Sequence, residues 1–367
     1  MSIETLPFWV YIVGFLAMLG PLVVVHELGH YLVGRWFGVG ADAFSVGFGK
    51  ELVGYTDSRG TRWKLSALPF GGYVQFRGDM NPASMPDPEK PAAPDHFQSA
   101  SLWQKALIVA AGPVTNFIVA IAILAAFNMA YGKGISPPVV EVLMEEGTAA
   151  SAGIEVGDRV LAVDGAPVED FNDIVPRIVA YPGESVDMLI ERGGREFTLP
   201  VQIASVDETD RFGNEYRVGR IGIASQSREF VDVGPIEAVG LGVQQTGAVL
   251  DMMVTGIWQI ISGRRSVKEL GGPITIAKFS GERLSMGFEA FAQFAALISI
   301  NLAFINLLPI PALDGGHLAF YAVEAVRRKP ASPRSQELAF RAGIAVVLAL
   351  MAFVTLIDVA KLPVFGG

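Results

Sequence analysis

The stretch LPFWVYIVGFLAMLGPLVVVHELGH, residues 6–30, decides how this chain is read. From Leu6 to Val25 it carries no charge, and it is long enough to cross a bilayer, whose hydrocarbon core takes about 20 apolar residues as a helix. Its last five residues, His26-Glu27-Leu28-Gly29-His30, put two imidazoles four positions apart on one helix face, where their nitrogens can converge on a single metal ion. Glu27 then lies beside that ion. A zinc-bound water has its pKa lowered toward ~7, and a carboxylate within hydrogen-bond reach can take its proton and later hand it to a leaving amine. The pattern HExxH also arises by chance. This chain, however, has only four histidines, and a His-Glu-His cluster in hydrocarbon is costly to keep unless it is used.

Composition agrees with a membrane setting. The 367 residues are 51% hydrophobic and 18% charged, with a mean hydropathy of +0.42, which points to a polytopic membrane protein with a soluble portion. There is no cysteine, so disulfides, a thiolate zinc site and a cysteine nucleophile are excluded, and any zinc must use His, Asp or Glu. A net charge of -9 without a basic, aromatic-rich stripe argues against nucleic acid as a partner. The first apolar run has no basic residue ahead of it and flows into the histidines, so it reads as a retained span and not as a cleaved signal peptide.

Four segments read as membrane helices: about Leu6 to Val33, Ala106 to Tyr131, Phe291 to Pro309 and Ala342 to Ile357. Arg327, Arg328, Lys329, Arg334 and Arg341 cluster between the third and fourth against the single acid Glu337, which places that loop in the cytoplasm. Both termini are then outside. The region from Lys133 to Glu289, acidic on balance, is outside as well. Val239 to Ile261 is apolar but interrupted by Gln244, Gln245, Thr246 and Asp251, and is read as an amphipathic helix on the outer surface with Arg264, Arg265 and Lys268 at the headgroups. Were it a span, the acidic motif of the third span would face away from His26 and His30.

Two histidines leave a catalytic zinc one protein ligand short. The run Asn306-Leu-Leu-Pro309-Ile-Pro311-Ala-Leu313-Asp314-Gly315-Gly316-His317 offers a carboxylate, Asp314, on the same side of the membrane. Pro309 and Pro311 break the helix there, freeing backbone groups that are tolerable only inside protein or along a wet cavity. His317 competes as a ligand, with support of the site or helix capping as its other roles, and His96 sits in a Pro-rich loop where solvation explains it.

HELGH in one span with NLLPIPALDGG in a later one resembles the site-2 protease family of intramembrane zinc metalloproteases, closest to the bacterial regulator-of-sigma-E branch. The resemblance extends to Ala111-Gly112-Pro113-Val114-Thr115-Asn116, Gly71-Gly72-Tyr73-Val74 and Gly271-Gly272-Pro273-Ile274-Thr275-Ile276-Ala277. It implies that His26, His30 and Asp314 bind zinc (Zn2+), that Glu27 activates water, and that Asn306 helps hold the substrate peptide or the developing oxyanion. It also implies that Asn116 packs beside the core. By itself Gly112-Pro113 reads as a kink that lets helices approach closely.

Residues 41–76 are rich in Gly, Phe, Val and Tyr, with turn signals at Gly47, Gly49, Asp57-Ser58-Arg59-Gly60 and Gly71-Gly72. Alternation in Thr61 to Leu65 and Tyr73 to Phe76 suggests hairpins. A strand edge at Gly71, Gly72, Tyr73 and Val74 could pair with an unwound substrate, though a small cytoplasmic sheet without substrate contact is the plainer reading. Resemblance to the family's membrane-reentrant β region favours the clamp. Asn81 to Pro94, rich in proline, reads as a flexible linker. Further on, Val139 to Val142, the Gly157-Asp158 and Asp164-Gly165 turns and a short helix over Phe171 to Ala180 resemble one bacterial PDZ domain, and Arg211 to Asn214 reads as a hairpin turn. Its groove could capture peptide ends or act as a size filter.

The fold expected is a polytopic α-helical membrane protein of four spans, with a membrane-associated β region and one periplasmic PDZ domain. Its parts are a first span (1–36), the β region and linker (37–100), a second span (101–131), the PDZ domain with following strands (134–233) and an amphipathic helix region (234–286). The third span with LDG (287–318), a basic cytoplasmic loop (319–341) and the fourth span (342–360) complete it. By resemblance, the activity is cleavage within transmembrane segments of pre-cleaved single-span proteins in the bacterial inner membrane, with release of anti-sigma factor fragments and processing of remnant signal peptides. The active site would face the cytoplasmic side. Two other functions compete: a membrane scaffold whose PDZ domain binds partners, and a metallopeptidase acting on soluble peptides.

Overall fold

Apolar stretches of twenty residues and more become helices because a lipid-facing backbone must satisfy its own hydrogen bonds. The computed structural model describes residues 6–78, 93–209, 215–227, 229–263, 267, 271–329 and 333–360. In chain order α1 (Phe8–Trp36) leads into two long strands, β1 (Ala41–Thr56) and β2 (Arg62–Phe76), and then α2 (Leu102–Tyr131). A mixed segment follows: β3 (Lys133–Ile135), β4 (Val142–Leu143), α3 (Thr148–Ser151), β5 (Arg159–Val163), β6 (Ala166–Pro167) and α4 (Val175–Val179). Strands β7 (Ser185–Arg192), β8 (Arg195–Gln202), β9 (Ala204–Thr209), β10 (Glu215–Arg220), β11 (Ile223–Ala224) and β12 (Glu229–Val231) close it. The remainder is helical: α5 (Pro235–Ile261), α6 (Pro273–Ser285), α7 (Phe288–Leu307), α8 (Asp314–Arg327) and α9 (Pro333–Ala360).

Among the described residues, four helices are long and apolar enough to cross a membrane: α1, α2, α7 and the Glu337–Val359 stretch of α9. Their outward flanks expose Ile12, Val13 and Leu16, Val114 and Ile118, Leu297 and Ile305, and Val346, Leu350 and Leu356. Such a continuous apolar surface suits hydrocarbon and not water.

The chain divides into two compact units, a helical one of Met1–Ala125, Val239–Ile257 and Leu270–Gly367, and a second of Ala126–Ala238 and Trp258–Glu269. In the helical unit α1 and α6 cross at two glycines, where a Cβ on Gly14 would lie 2.7 Å from Gly281 Cα. Met18 and Leu22 of α1 pack there with Ile298 of α7, Val119 of α2 and Ile276 of α6. Helix α5 docks one face on the spans, with Val249, Leu250 and Met253 against Ala120 of α2 and Ala296 and Ile300 of α7. Asp358 of α9, buried, accepts the backbone N–H of Gly272 at 3.1 Å, that of Thr275 at 2.9 Å and the Thr275 hydroxyl at 2.7 Å. It thus caps the N-terminus of α6, whose first turn otherwise has unsatisfied donors.

In the β region, Ala41 to Val46 pairs antiparallel with Phe76 to Gly72, while the same β1 stretch faces Arg62 to Leu65 on its other side. The segment Gly72–Phe76 is therefore paired on one side only among the described residues. Gly47, Gly49 and Gly71, expected as turns, lie within the strands at φ 88°, 87° and 95° and bend them. The turn proper is at Asp57, whose Oδ1 accepts the N–H groups of Arg59 and Thr61, each at 2.9 Å. The sheet rests on Tyr31, Phe44, Val74, Phe76, Phe97 and Ile108.

Three features differ from the sequence reading or escape it. The third span ends in the break expected at Pro309 and Pro311, with α7 stopping at Leu307, but the LDG motif beyond it opens a separate helix, α8, at Asp314. The expected basic loop 319–341 is largely helix, the end of α8 and the start of α9. The linker from Asn81 to Ala92, the turn Arg211 to Asn214, and Arg264, Arg265 and Lys268 lie outside the described residues.

In the second unit a sheet of order β6-β5-β7-β8 packs around Val140, Ile154, Val160, Met188, Ile190 and Val201. Arg192 grips the buried Asp158 with two bonds, of 2.6 and 2.7 Å. Burial raises the Asp158 carboxyl's pKa, but Arg192 and the Glu155 N–H outweigh this and hold it below the usual carboxylate range.

Candidate metal centre

His26 and His30 stand one turn apart on α1, both buried, because HExxH spacing on a helix stacks them on one face. Asp314 is the first residue of α8 and reaches the same point. His26 Nε2 and His30 Nε2 are 3.2 Å apart, and Asp314 Oδ2 lies 3.2 Å from the first and 3.5 Å from the second. A tetrahedral zinc with ligands at 2.0–2.1 Å has ligand-to-ligand edges of about 3.3 Å. All three edges match this value.

Two further observations fit a zinc ion. Asp314 Oδ2 is buried with no hydrogen-bond partner among the described residues, an expensive state for a carboxylate oxygen unless a cation meets it. On α2, Gly112 leaves the locus open: a Cβ there would collide with His30 Nε2 and come within 2.8 Å of His26 Nε2. Two imidazoles and one carboxylate are also a donor set zinc accepts in catalytic sites.

The sharp return from α7 to Asp314 depends on small residues. A Cβ on Gly315 would strike the carbonyls of Leu307 and Leu308, and one on Gly316 the carbonyl of Ile310. Ala312 takes φ 85°, a left-handed conformation that costs a non-glycine residue free energy. Beside it Gly343 of α9 packs on the Pro311 carbonyl so closely that no side chain fits.

A cavity of about 560 Å³ opens on the triad. Glu27, Asn306, Gly71, Gly72, Tyr73 and Val74 all line it, so the structure brings these expected site residues together with His26, His30 and Asp314. Gly72 lets the strand lie against α1: a Cβ there would be 3.2 Å from Glu27 Cγ. His317 also lines the cavity without belonging to the metal-ligating group. Asn116 is not on the cavity wall but behind the histidines, fully buried, with Nδ2 3.2 Å from His26 Nδ1. Pro309 and Pro311 act through the break. His96 is not among the residues that line the cavity, and its ring packs against Gly78.

Sequence reasoning missed three contributors. The Ile108 carbonyl meets His30 Nδ1 at 2.8 Å, and no side-chain letter announces a backbone group. Phe340, Ile344, Val347 and Leu348 of α9 wall the cavity, although the first falls in the stretch read as a basic loop and the others in one that reads only as an apolar span. The third, Asp358, acts away from the site by fastening α9, other residues of which wall the cavity, and it was signalled as a lone acid among apolar residues of a span.

Residues 14–350 match the model of Peptidase family M50. A protein of Agrobacterium fabrum named as a candidate zinc metalloprotease is 44% identical over 364 residues, covering 96% of each chain. Metalloprotease MmpA of Caulobacter vibrioides is 31% identical over 388 residues, covering 98% of this chain and 97% of the relative. Among solved structures, the PDZ domain of the SdrC-like protein from Listeria monocytogenes aligns at 17% identity, covering 25% of this chain and 88% of that one, with a TM-score of 0.20.

Proposed function

The chain belongs to peptidase family M50 and is a membrane zinc metalloprotease, and from that premise we propose that it cuts peptide bonds inside transmembrane segments of single-span proteins already trimmed on their external side. His26, His30 and Asp314 would hold the zinc. The observation that carries this reading is the trio of donor atoms at tetrahedral spacing, opening on a cavity with a carboxylate on one wall and a half-paired strand on another. Zinc supplies Lewis acidity there, polarising a carbonyl and lowering the pKa of water to about 7.

The chain's own groups do the rest. Glu27 takes a proton from water and returns it to the leaving amine. Asn306, on the cavity wall, donates to the substrate carbonyl or its developing oxyanion. A helical substrate must be unwound before it is cut, and Gly71, Gly72, Tyr73 and Val74 offer an edge on which an extended chain can add as a strand. The exposed Leu52, Val53 and Tyr55 of the same β region would dip into the bilayer.

Trp36 and Trp103, exposed and joined through Phe37, suit the headgroup level on the side we assign to the cytoplasm, and Phe8 and Trp9 that on the outer side. His30 and His26 lie six and ten residues from Trp36, hence roughly 9–15 Å into the membrane at 1.5 Å per helical residue. On this reading the protein sits in a bacterial inner membrane with both termini outside. The second unit is a periplasmic PDZ domain. Substrates would include anti-sigma factors and remnant signal peptides.

Glu27→Gln tests the reading. The variant should fold, keep one zinc per chain and cut no membrane substrate, which metal analysis and a cleavage assay on a co-reconstituted single-span protein would read. Cleavage at the wild-type rate would sink the mechanism.

A further inference from the structure

Three positions on α2, each four residues from the next, face the two histidines. The carbonyl of Ile108 lies 2.8 Å from His30 Nδ1. Gly112 has no Cβ to obstruct either Nε2. The side-chain amide of Asn116 lies 3.2 Å from His26 Nδ1. A spacing of four keeps all three on one stripe of the helix. Pro113, inside α2, has no N–H to offer the Val109 carbonyl, the neighbour of the one that meets His30.

The first contact fixes a tautomer. A carbonyl can only accept, so His30 Nδ1 carries the proton and Nε2 presents its lone pair to the metal locus. The second contact, with Nδ2 of Asn116 toward the ring, does the opposite. An N–H donor facing Nδ1 requires that nitrogen to be unprotonated, which moves the proton of a neutral ring onto Nε2, where a cation should bind. Asn116 Oδ1 is meanwhile buried with no hydrogen-bond partner among the described residues. The oxygen and nitrogen of a carboxamide have nearly the same shape, so a half-turn of the group fits the same space and reconciles the contact with metal binding.

We propose that Asn116 is a positioning residue whose Oδ1 accepts the proton of His26 Nδ1, locking the tautomer that presents Nε2 to zinc. The second span thereby orients both histidines, one through a backbone carbonyl and one through a side-chain oxygen. Outer hydrogen bonds of this kind fix ring orientation and raise ligand basicity, and their loss typically lowers metal affinity about 10–100-fold. Asn116 is itself held in place: it is fully buried, and its backbone carbonyl accepts the buried Ser299 hydroxyl of α7 at 2.8 Å.

The proposal rests on zinc being held by His26, His30 and Asp314. Its test compares zinc retention of the purified full chain, Asn116→Asp and Asn116→Leu under graded concentrations of a competing chelator. The three side chains are close in size, and aspartate can only accept. Asn116→Asp should retain zinc within about threefold of the wild-type chain or better, and Asn116→Leu should lose it at about 10–100-fold lower chelator. Equal retention by Asn116→Leu overturns the proposal, as does loss by Asn116→Asp to the level of Asn116→Leu. If Asn116→Leu does not accumulate as folded protein, Asn116→Asp against wild type decides alone, because a donor role for Asn116 would fail with aspartate. A wild-type chain that purifies without zinc and takes none up would instead refute the zinc reading beneath the proposal.

Discussion

At the scale of single residues, the site depends as much on what is missing as on what is present. Gly112 has no side chain where the two Nε2 atoms and Asp314 Oδ2 meet. Gly112→Ala should leave the helices assembled yet lower zinc retention at least about tenfold, since the new methyl displaces an imidazole from its ligating position. Metal analysis after dialysis against chelator, alongside a thermal melt, separates that result from general unfolding. His26, Glu27, His30 and Asp314 were legible as letters because their chemistry resides in side chains and their spacing is set by a helix and a helix break. Ile108 was not legible, since every residue has a carbonyl and only the fold selects one. Asn116 was noticed with its motif, but its partner His26 is known only once α1 and α2 are side by side.

At the scale of elements, the spans could be read off because twenty uncharged residues have few alternatives in lipid. The pieces between them could not. Helix α8 opens with Asp-Gly-Gly, which reads as a turn because glycine disfavours helices by about 1 kcal/mol relative to alanine. Gly315 and Gly316 are there for space, against the carbonyls of the preceding turn. The same holds for Gly47, Gly49 and Gly71, whose positive φ values bend β1 and β2 where the sequence signals an end. Helix α9 is held to α6 by Asp358, so the fourth span, which also walls the cavity, has a specific fastening. Asp358→Ala should cost about 0.5–2 kcal/mol, the range for losing a helix cap, read as a lower unfolding midpoint of the full chain in detergent. An unchanged midpoint would mean the contact contributes nothing to holding α9.

At the scale of the whole molecule, the lack of any cysteine makes the proposed orientation directly measurable. Single substitutions Gly165→Cys and Arg328→Cys should react with a membrane-impermeant maleimide in opposite ways, the first in intact cells and the second only after the membrane is opened. The reverse pattern would invert the topology and move the site to the other face. Charge counting could suggest this arrangement from the sequence, while the docking of α5 on α2 and α7 needed the structure, because an amphipathic pattern does not say what its apolar face meets. One consequence follows from the way the proposed ligands are divided between α1 and α8, which lie far apart in sequence. During synthesis the histidines emerge long before Asp314 is made, so a chain that stops short of residue 314 would lack the third of the proposed zinc ligands. On the proposed reading, translation order itself would withhold activity from the membrane-embedded chain until α8 has been made.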